Sequence, residues 1–282
     1  MPEKLRIDQI RQLDANKRES FNSIFHRVHA RFFLWTMIDR IALVTDFGTG
    51  GPYVGQMKLL LSGLLPEIPI IDLVCDLAPF RPDLAAYLLP AMARDMPART
   101  LYLCVVDPGV GGERAVLAVE ASGDWYVGPD NGLLALVARS AARPKILRVD
   151  WRPERMSDSF HGRDLFCPLA AKLIGGSHPE SVALESADLV GSDWPDALFT
   201  IIYADRYGNL ITAIPASHMD KATRLRAGGQ DLAYARTFCE VPAGRAFWYE
   251  NSFGFVELAV NQGSARISLG IGPGEPIGLF QP

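Results

Sequence analysis

The chain has 282 residues and a mass of 30.9 kDa, with 49% hydrophobic and 21% charged residues, and its 14 Phe, 8 Tyr and 5 Trp suffice for a sizeable core. A disulfide miniprotein and a disordered chain are excluded, and two packed domains are expected. A net charge of −4, a sequence pI near 5.8 and the lack of a basic run exclude nucleic acid as the main partner.

Residues 1–40 carry more basic than acidic side chains and the remainder the reverse. Met37 lies just before the first convincing strand, so this extension is expected to stand outside the fold, as a start placed too early or as a short amphipathic helix, and no chemistry is assigned to it. Residues 41–44 are a short apolar run ending at Thr45-Asp-Phe-Gly48, the pattern of a buried parallel strand leaving its sheet at the carboxyl edge. A helix is expected over 53–65, a strand over 69–74, a helix over 82–96 with Pro82 in its first turn, and a strand over 99–106. Strands at 116–120 and 125–127 follow around Ser122-Gly-Asp124, then helices over 133–141 and 165–174. This alternation predicts an α/β domain over residues 41–192, its mainly parallel sheet covered on both faces. From residue 193 to 282, short β-type segments at 199–204, 209–214, 246–249, 255–260 and 265–269 alternate with Gly-rich turns. That is the pattern of a smaller C-terminal β-barrel or sandwich domain.

Cys75, Cys104, Cys167 and Cys239 are widely spaced with no C-x-x-C pair, so they read as reduced thiols, mostly buried, in a cytoplasmic protein. No apolar stretch approaches the roughly 18 residues of a membrane span, and the first 30 residues hold no apolar core of an export signal. Neither membrane insertion nor export is expected.

Polar residues gather where the parallel strands are expected to end, at Asp46, Asp76 and Asp107, the edge at which open α/β sheets bind ligands. Asp107-Pro-Gly-Val-Gly-Gly-Glu-Arg114 runs from a strand into a turn whose glycines let backbone approach a ligand, with an acid and a base at its ends. Its plainer reading is a turn closed by a surface ion pair, and it lacks the Lys-Ser/Thr of a phosphate-binding loop. In Ser157-Asp-Ser-Phe-His-Gly-Arg-Asp164, His161 is the histidine of interest among five, set against a loop residue beside a helix capped by Asp158 or Ser159. His26, His29, His178 and His218 read as surface positions. Gly128-Pro-Asp-Asn-Gly132 reads as a turn in which Asp130 or Asn131 caps a helix. Asp205-Arg-Tyr-Gly-Asn209 is a hairpin turn or a clasp for a zwitterion, and Asn251-Ser-Phe-Gly254 a turn with spare donors. No H-x-x-x-H, H-x-H or D-x-D-x-D cluster occurs, so a metal would need Asp46, Asp72, Asp76, Asp107, His161 and Asp164 to converge from afar, and none is expected.

Seven motifs occur together and in order: Thr45-Asp-Phe-Gly48, Tyr53-Val-Gly-Gln-Met-Lys58, Val106-Asp-Pro-Gly-Val-Gly111 with Arg114, Pro129-Asp-Asn-Gly-Leu133, Phe160-His-Gly-Arg-Asp164, Asp205 to Asn209, and Asn251-Ser-Phe-Gly254. In these the chain resembles the S-adenosylmethionine hydroxide adenosyltransferases, relatives of the fluorinase and chlorinase, over roughly residues 41–280. The resemblance implies an N-terminal α/β domain, a smaller C-terminal β domain, and a homotrimer with each active site between one subunit's N-terminal domain and its neighbour's C-terminal domain. It implies hydrolysis of S-adenosylmethionine to adenosine and L-methionine, with Asp107, Arg114 and His161 around the water. By the same resemblance Asp46 holds the ribose hydroxyls, Phe80 and Phe238 flank the nucleoside, and Asp205, Asn209 and Ser252 grip the methionine end. Halogenating relatives replace the triad with small or hydroxyl residues and carry an extra loop after the glycine-rich turn. This chain keeps the triad and passes directly from Arg114 into a strand, so halide use is not expected. It departs from the family at Gly50-Gly-Pro52, where an acid is usual, and at Thr212-Ala-Ile214, where the family has T-N-I.

Attack at the ribose C5′ turns a sulfonium into a neutral thioether, so the leaving group needs no acid and the site has only to make and aim a nucleophile. Bulk water has a pKa of about 15.7, and without a metal to lower it cationic donors must favour hydroxide character. Arg114 supplies permanent charge, while the proton goes to either His161 or Asp107. Phe47, Phe80 and Phe160 offer apolar walls, since low dielectric favours a reaction that disperses charge. No metal or redox cofactor is expected, only the substrate. A non-catalytic binder of S-adenosylmethionine or adenosine and a metal-dependent hydrolase of a nucleoside-like substrate are the rival readings.

Overall fold

A computed structural model describes residues 38–177 and 179–279. The expectations for the N-terminal extension, up to residue 37, and for His26, His29 and His178 lie outside the described residues; His218 is exposed.

Short apolar runs form the middle of a seven-stranded sheet. Strands β1 (Arg40–Thr45), β2 (Ile70–Val74), β3 (Thr100–Val105), β4 (Val116–Ala121), β5 (Asp124–Pro129), β6 (Lys145–Val149) and β7 (Ser181–Leu184) lie in the order β2-β1-β3-β5-β4-β6-β7. The first four in that order are mutually parallel, whereas β4, β6 and β7 each pair antiparallel with their neighbours. The parallel run stops at β4 because Ser122 and Gly123, at φ 56° and 88°, reverse the chain in two residues, a turn that cannot make a parallel crossover. β6 and β7 are not announced by the sequence pattern.

Helices α1 (Tyr53–Leu64), α2 (Pro82–Ala93), α3 (Ala135–Ser140) and α4 (Cys167–Ile174) cover the sheet, α1 and α4 on one face and α2 and α3 on the other. α2 stops short of residue 96, since Pro97 disfavours helical backbone at Met96. The helix expected from residue 165 is preceded by a wide π turn, Gly162–Phe166, because Pro168 has no N–H to give the Asp164 carbonyl.

Strands β8 (Leu198–Ala204), β9 (Leu210–Pro215), β10 (Leu225–Ala227), β11 (Gln230–Leu232), β12 (Ala246–Glu250), β13 (Phe255–Val260) and β14 (Gly278–Leu279) form two antiparallel sheets, β12-β13-β9-β8 and β11-β10-β14. Both contribute to one apolar core that includes Leu210, Ile214, Leu225, Leu232, Trp248 and Leu258. No closed barrel forms among the described residues, which corrects the barrel half of the expectation: the larger sheet ends on β8 and β12, and these edges do not pair with one another. The segment expected as a strand at 265–269 is instead helix α5 (Ala265–Leu269). Ser264 Oγ accepts from Ile267 N at 3.2 Å, and Gly270 takes the left-handed conformation (φ 67°) that ends the helix, so capping at both ends outweighs the β preference of Ile267.

The four-stranded sheet lies against α2, with Ile202, Ile211 and Ala213 in the same core as Leu84, Leu88 and Tyr102. Cys75, Cys104 and Cys167 are buried and Cys239 is exposed, all four free. Among the described residues no helix is long and apolar enough to cross a membrane.

Candidate active site

β1 lies between β2 and β3, so the chain leaves it toward one side and returns on the other. A reversal of this kind makes the carboxyl ends of β1 and β3 the usual ligand edge of such sheets. Thr45 pairs with Val105 at those ends, so Asp46 and Asp107 leave the sheet close together. Asp46 Oδ2 accepts from the Phe80 backbone N–H at 2.9 Å. Burial raises the Asp46 carboxyl above its ordinary pKa, the Phe80 bond opposes this, and the charge of Asp107 adds to it.

The glycine-rich turn brings Arg114 back onto Asp107. Arg114 Nε lies 3.0 Å from each Asp107 oxygen and Nη2 closes a second bond to Oδ2, with side-chain exposures of only 10% and 4%. The turn is therefore closed by a buried pair and not by a surface one. Arg114 Nη2 also lies 2.8 Å from His161 Nδ1, and its guanidinium stands 5.7 Å from the Phe166 ring centre. Asp107, Arg114 and His161, apart in sequence, thus form one hydrogen-bonded chain.

His161 is 4% exposed, and its Nε2 has no hydrogen-bond partner among the described residues. A guanidinium only donates, so the lone pair of Nδ1 faces Arg114 and the neutral ring carries its proton on Nε2. Burial and then the adjacent Arg114 charge push the His161 pKa below 6.5, with Asp107 partly opposing them.

Neighbouring residues hold the loop before His161. Asp164 Oδ2 accepts from Ser157 N at 2.9 Å, while Arg163 pairs with Asp164 and reaches Gln56 Oε1 in α1 at 2.7 Å. Neither Asp158 nor Ser159 caps the helix, and α3 has no side-chain cap either. Asp130 accepts from Val190 N instead, and Asn131 Nδ2 donates to the Val106 carbonyl at 2.9 Å, bracing the strand end just before Asp107. Phe160 packs with Phe47 (6.0 Å) and Tyr53 (5.2 Å) as an aromatic wall. Phe80 is 72% exposed.

The remaining expected residues lie elsewhere. Asp205, Asn209, Phe238 and Ser252 line a cavity of about 840 Å³ in the C-terminal region together with Tyr249 and Glu257, and none of Asp107, Arg114 and His161 lines it. Asp205 accepts from both the backbone and the side-chain nitrogen of Asn209, at 2.8 and 2.9 Å, the bonding of a hairpin turn. Tyr203 Oη donates to Asp76 Oδ1 at 2.9 Å and ties this region to the end of β2. Sequence reasoning missed Tyr203, Tyr249 and Glu257; for Glu257 the available signal was an acid inside the otherwise apolar run Phe-Val-Glu-Leu-Ala-Val. Asp46, Asp72, Asp76, Asp107, His161 and Asp164 do not converge on a metal, since among the described residues no three His, Cys, Asp or Glu gather closely enough to hold one.

Residues 41–183 match the SAM hydroxide adenosyltransferase N-terminal domain and residues 199–278 the C-terminal domain of the same family. An (R)-S-adenosyl-L-methionine hydrolase of Thermus thermophilus is 37% identical over 258 residues, covering 85% of this chain and 99% of that protein. One of Salinispora arenicola is 31% identical over 84% and 96%. A fluorinase of Actinopolyspora mzabensis is more distant, at 24% identity over 79% and 91%. The crystal structure of an uncharacterized conserved protein from Thermotoga maritima superposes with a TM-score of 0.73 at 28% identity, covering 86% of this chain and all of that one. With both domains matched in order, the chain belongs to the SAM hydroxide adenosyltransferase family.

Proposed function

We propose that this protein hydrolyses S-adenosyl-L-methionine to adenosine and L-methionine by attack of an activated water at the ribose C5′. The observation that carries this reading is Arg114, bonded at once to Asp107 and to His161 Nδ1 in a nearly dry setting. Relatives named as (R)-S-adenosyl-L-methionine hydrolases support it at 37% and 31% identity.

The arrangement favours Asp107 over His161 as the acceptor of the water's proton. His161 is held neutral with N–H at Nε2, so it approaches a water or hydroxide as a donor and not as a base. Arg114 places permanent positive charge beside the nucleophile, and Asp107, the anion of the triad, receives the proton. Donors aimed at developing hydroxide in a low-dielectric pocket stabilise it more than bulk water does. The departing thioether is neutral and needs no acid. Asp46 suits the ribose hydroxyls, with one oxygen already fixed by Phe80 N–H, and the Phe47, Tyr53 and Phe160 wall keeps the pocket apolar.

The C-terminal cavity holds Asp205, Asn209, Phe238 and Ser252 for the nucleoside and methionine ends, apart from the triad of the same chain. That separation supports a homotrimer whose sites join one subunit's Asp107 group to its neighbour's Asp205 group. The protein needs no metal or redox cofactor, and its free thiols suit the reducing cytoplasm.

The test is mass spectrometry after incubation with S-adenosylmethionine in oxygen-18 water with a chelator present. Adenosine labelled at C5′ and unlabelled methionine are expected, with adenosine formation reduced at least roughly a hundredfold in His161→Ala. Intact S-adenosylmethionine bound to the protein would replace this reading with a non-catalytic binder, and loss of activity in chelator would favour a metal-dependent hydrolase.

A further inference from the structure

Glu257 on β13 is 5% exposed and takes no part in the chemistry above. Its two oxygens have separate neutral partners: Oε1 accepts from Tyr249 Oη at 2.5 Å, and Oε2 from Asn251 Nδ2 at 2.8 Å. Burying a carboxyl is costly, so a site that retains one between two such donors invests stability in their placement. Burial holds the Glu257 pKa above the ordinary carboxylate value, the bonds from Tyr249 and Asn251 oppose this, and nearby Asp205 adds to it.

Each partner leads to a different part of the C-terminal cavity. The bond to Asn251 Nδ2 fixes the side-chain amide, so Oδ1 faces the turn and accepts from Phe253 N at 2.9 Å and Phe255 N at 3.0 Å. That is the turn that carries Ser252. The bond to Tyr249 fixes the phenol, whose ring packs 5.4 Å from Phe238, while Phe238 meets Phe247 edge-on at 5.2 Å. The hydroxyl turn and the aromatic wall on opposite branches of this network line the same cavity.

We propose that Glu257 is a positioning residue for substrate binding, locking the Ser252 turn and the Phe238–Tyr249 wall into one geometry through Asn251 and Tyr249. The proposal rests on the reading that this cavity receives the nucleoside and methionine ends of S-adenosylmethionine. Glu257 acts through its hydrogen bonds and not through its charge.

Three variants separate these roles. Glu257→Gln keeps both contacts, with its oxygen accepting from Asn251 and its amide donating to Tyr249 Oη, but carries no charge. Glu257→Ala removes both contacts, and Tyr249→Phe removes one with little change in packing. In steady-state kinetics, Glu257→Ala is expected to raise KM for S-adenosylmethionine about tenfold or more with kcat within about threefold, and to weaken adenosine binding in parallel by calorimetry. Glu257→Gln is expected within about threefold of the unaltered protein in both, and Tyr249→Phe in between. The proposal is overturned by an unchanged KM in Glu257→Ala, by a loss confined to kcat, or by Glu257→Gln as impaired as Glu257→Ala. If circular dichroism shows Glu257→Ala unfolded, Tyr249→Phe decides: a raised KM supports the proposal and an unchanged one overturns it. An unaltered protein that neither turns over S-adenosylmethionine nor binds adenosine overturns the underlying reading, and this one with it; normal turnover with unaffected variants overturns this one alone.

Discussion

Arg114 meets two unlike groups, a carboxylate that neutralises it and an imidazole nitrogen that only accepts from it. Buried ion pairs of this kind are tolerated because each member has its partner, and removing one costs roughly 3–5 kcal/mol by stranding the other. The same guanidinium, after burial itself, disfavours a proton on His161 Nδ1 and so lowers the His161 pKa from 6.5. An unfolded histidine binds its proton near pH 6.5, before the folded one does. The stability linked to His161 is therefore fully present above pH 6.5 and is lost as pH falls from there through the lower folded value. Thermal melts of the unaltered protein and of His161→Gln between pH 7.5 and pH 5 should thus show the smaller acid-side fall in Tm for the variant. Equal falls would mean that His161 is not held neutral.

Two loops carry the triad, and they touch backbone to backbone. Gly111 sits at φ 81°, and a Cβ there would stand 2.6 Å from the Asp158 carbonyl oxygen, so the glycine-rich turn can lie against the loop before His161 only without a side chain. Gly111→Ala must push the loops apart, in addition to the roughly 1 kcal/mol for a left-handed alanine. Gly123 is a natural control, since it has φ 88° and no atom within 4 Å of its Cβ position. Gly111→Ala is expected to lower kcat about tenfold or more, while Gly123→Ala lowers Tm and leaves kcat within about twofold, as misplacing catalytic groups costs rate where strain alone does not. Comparable kcat in the two variants would show that contact between the loops does not set the site. The π turn at Gly162–Phe166 belongs to the same scale, a local widening forced by Pro168 directly after His161.

Across the whole molecule, the Asp107 group lies at the carboxyl edge of the parallel strands and the Asp205 group in a separate cavity of the C-terminal sheets. A closed trimer with sites shared between subunits predicts complementation. Arg114→Ala and Asp205→Ala are each expected to be nearly inactive alone. Unfolded together and refolded as mixed trimers, they should recover about a quarter of normal activity, because one interface in four then joins two intact halves. Light scattering checks the trimer, and no recovery in verified mixed trimers would mean that each site is built within one chain.

Sequence alone carried the α/β and β segmentation and most element positions, because apolar periodicity and turn residues are local, while Asp107, Arg114 and His161 were named as a triad only through the family that the ordered motifs resemble. It placed Asp46 and Asp107 at strand ends, and that edge is where the structure gathers them. The three-dimensional fold revealed that the acid and base of the glycine-rich turn form a buried pair reaching His161, since burial and Nδ1 contact arise between loops 47 residues apart. It also decided that 265–269 is helical, where caps at Ser264 and Gly270 override the β preference of the residues between, and that no barrel closes, a matter of which strand edges meet. The Glu257 network was invisible for the same reason: a lone acid in an apolar strand gains its meaning only from the tyrosine and asparagine that the fold turns toward it.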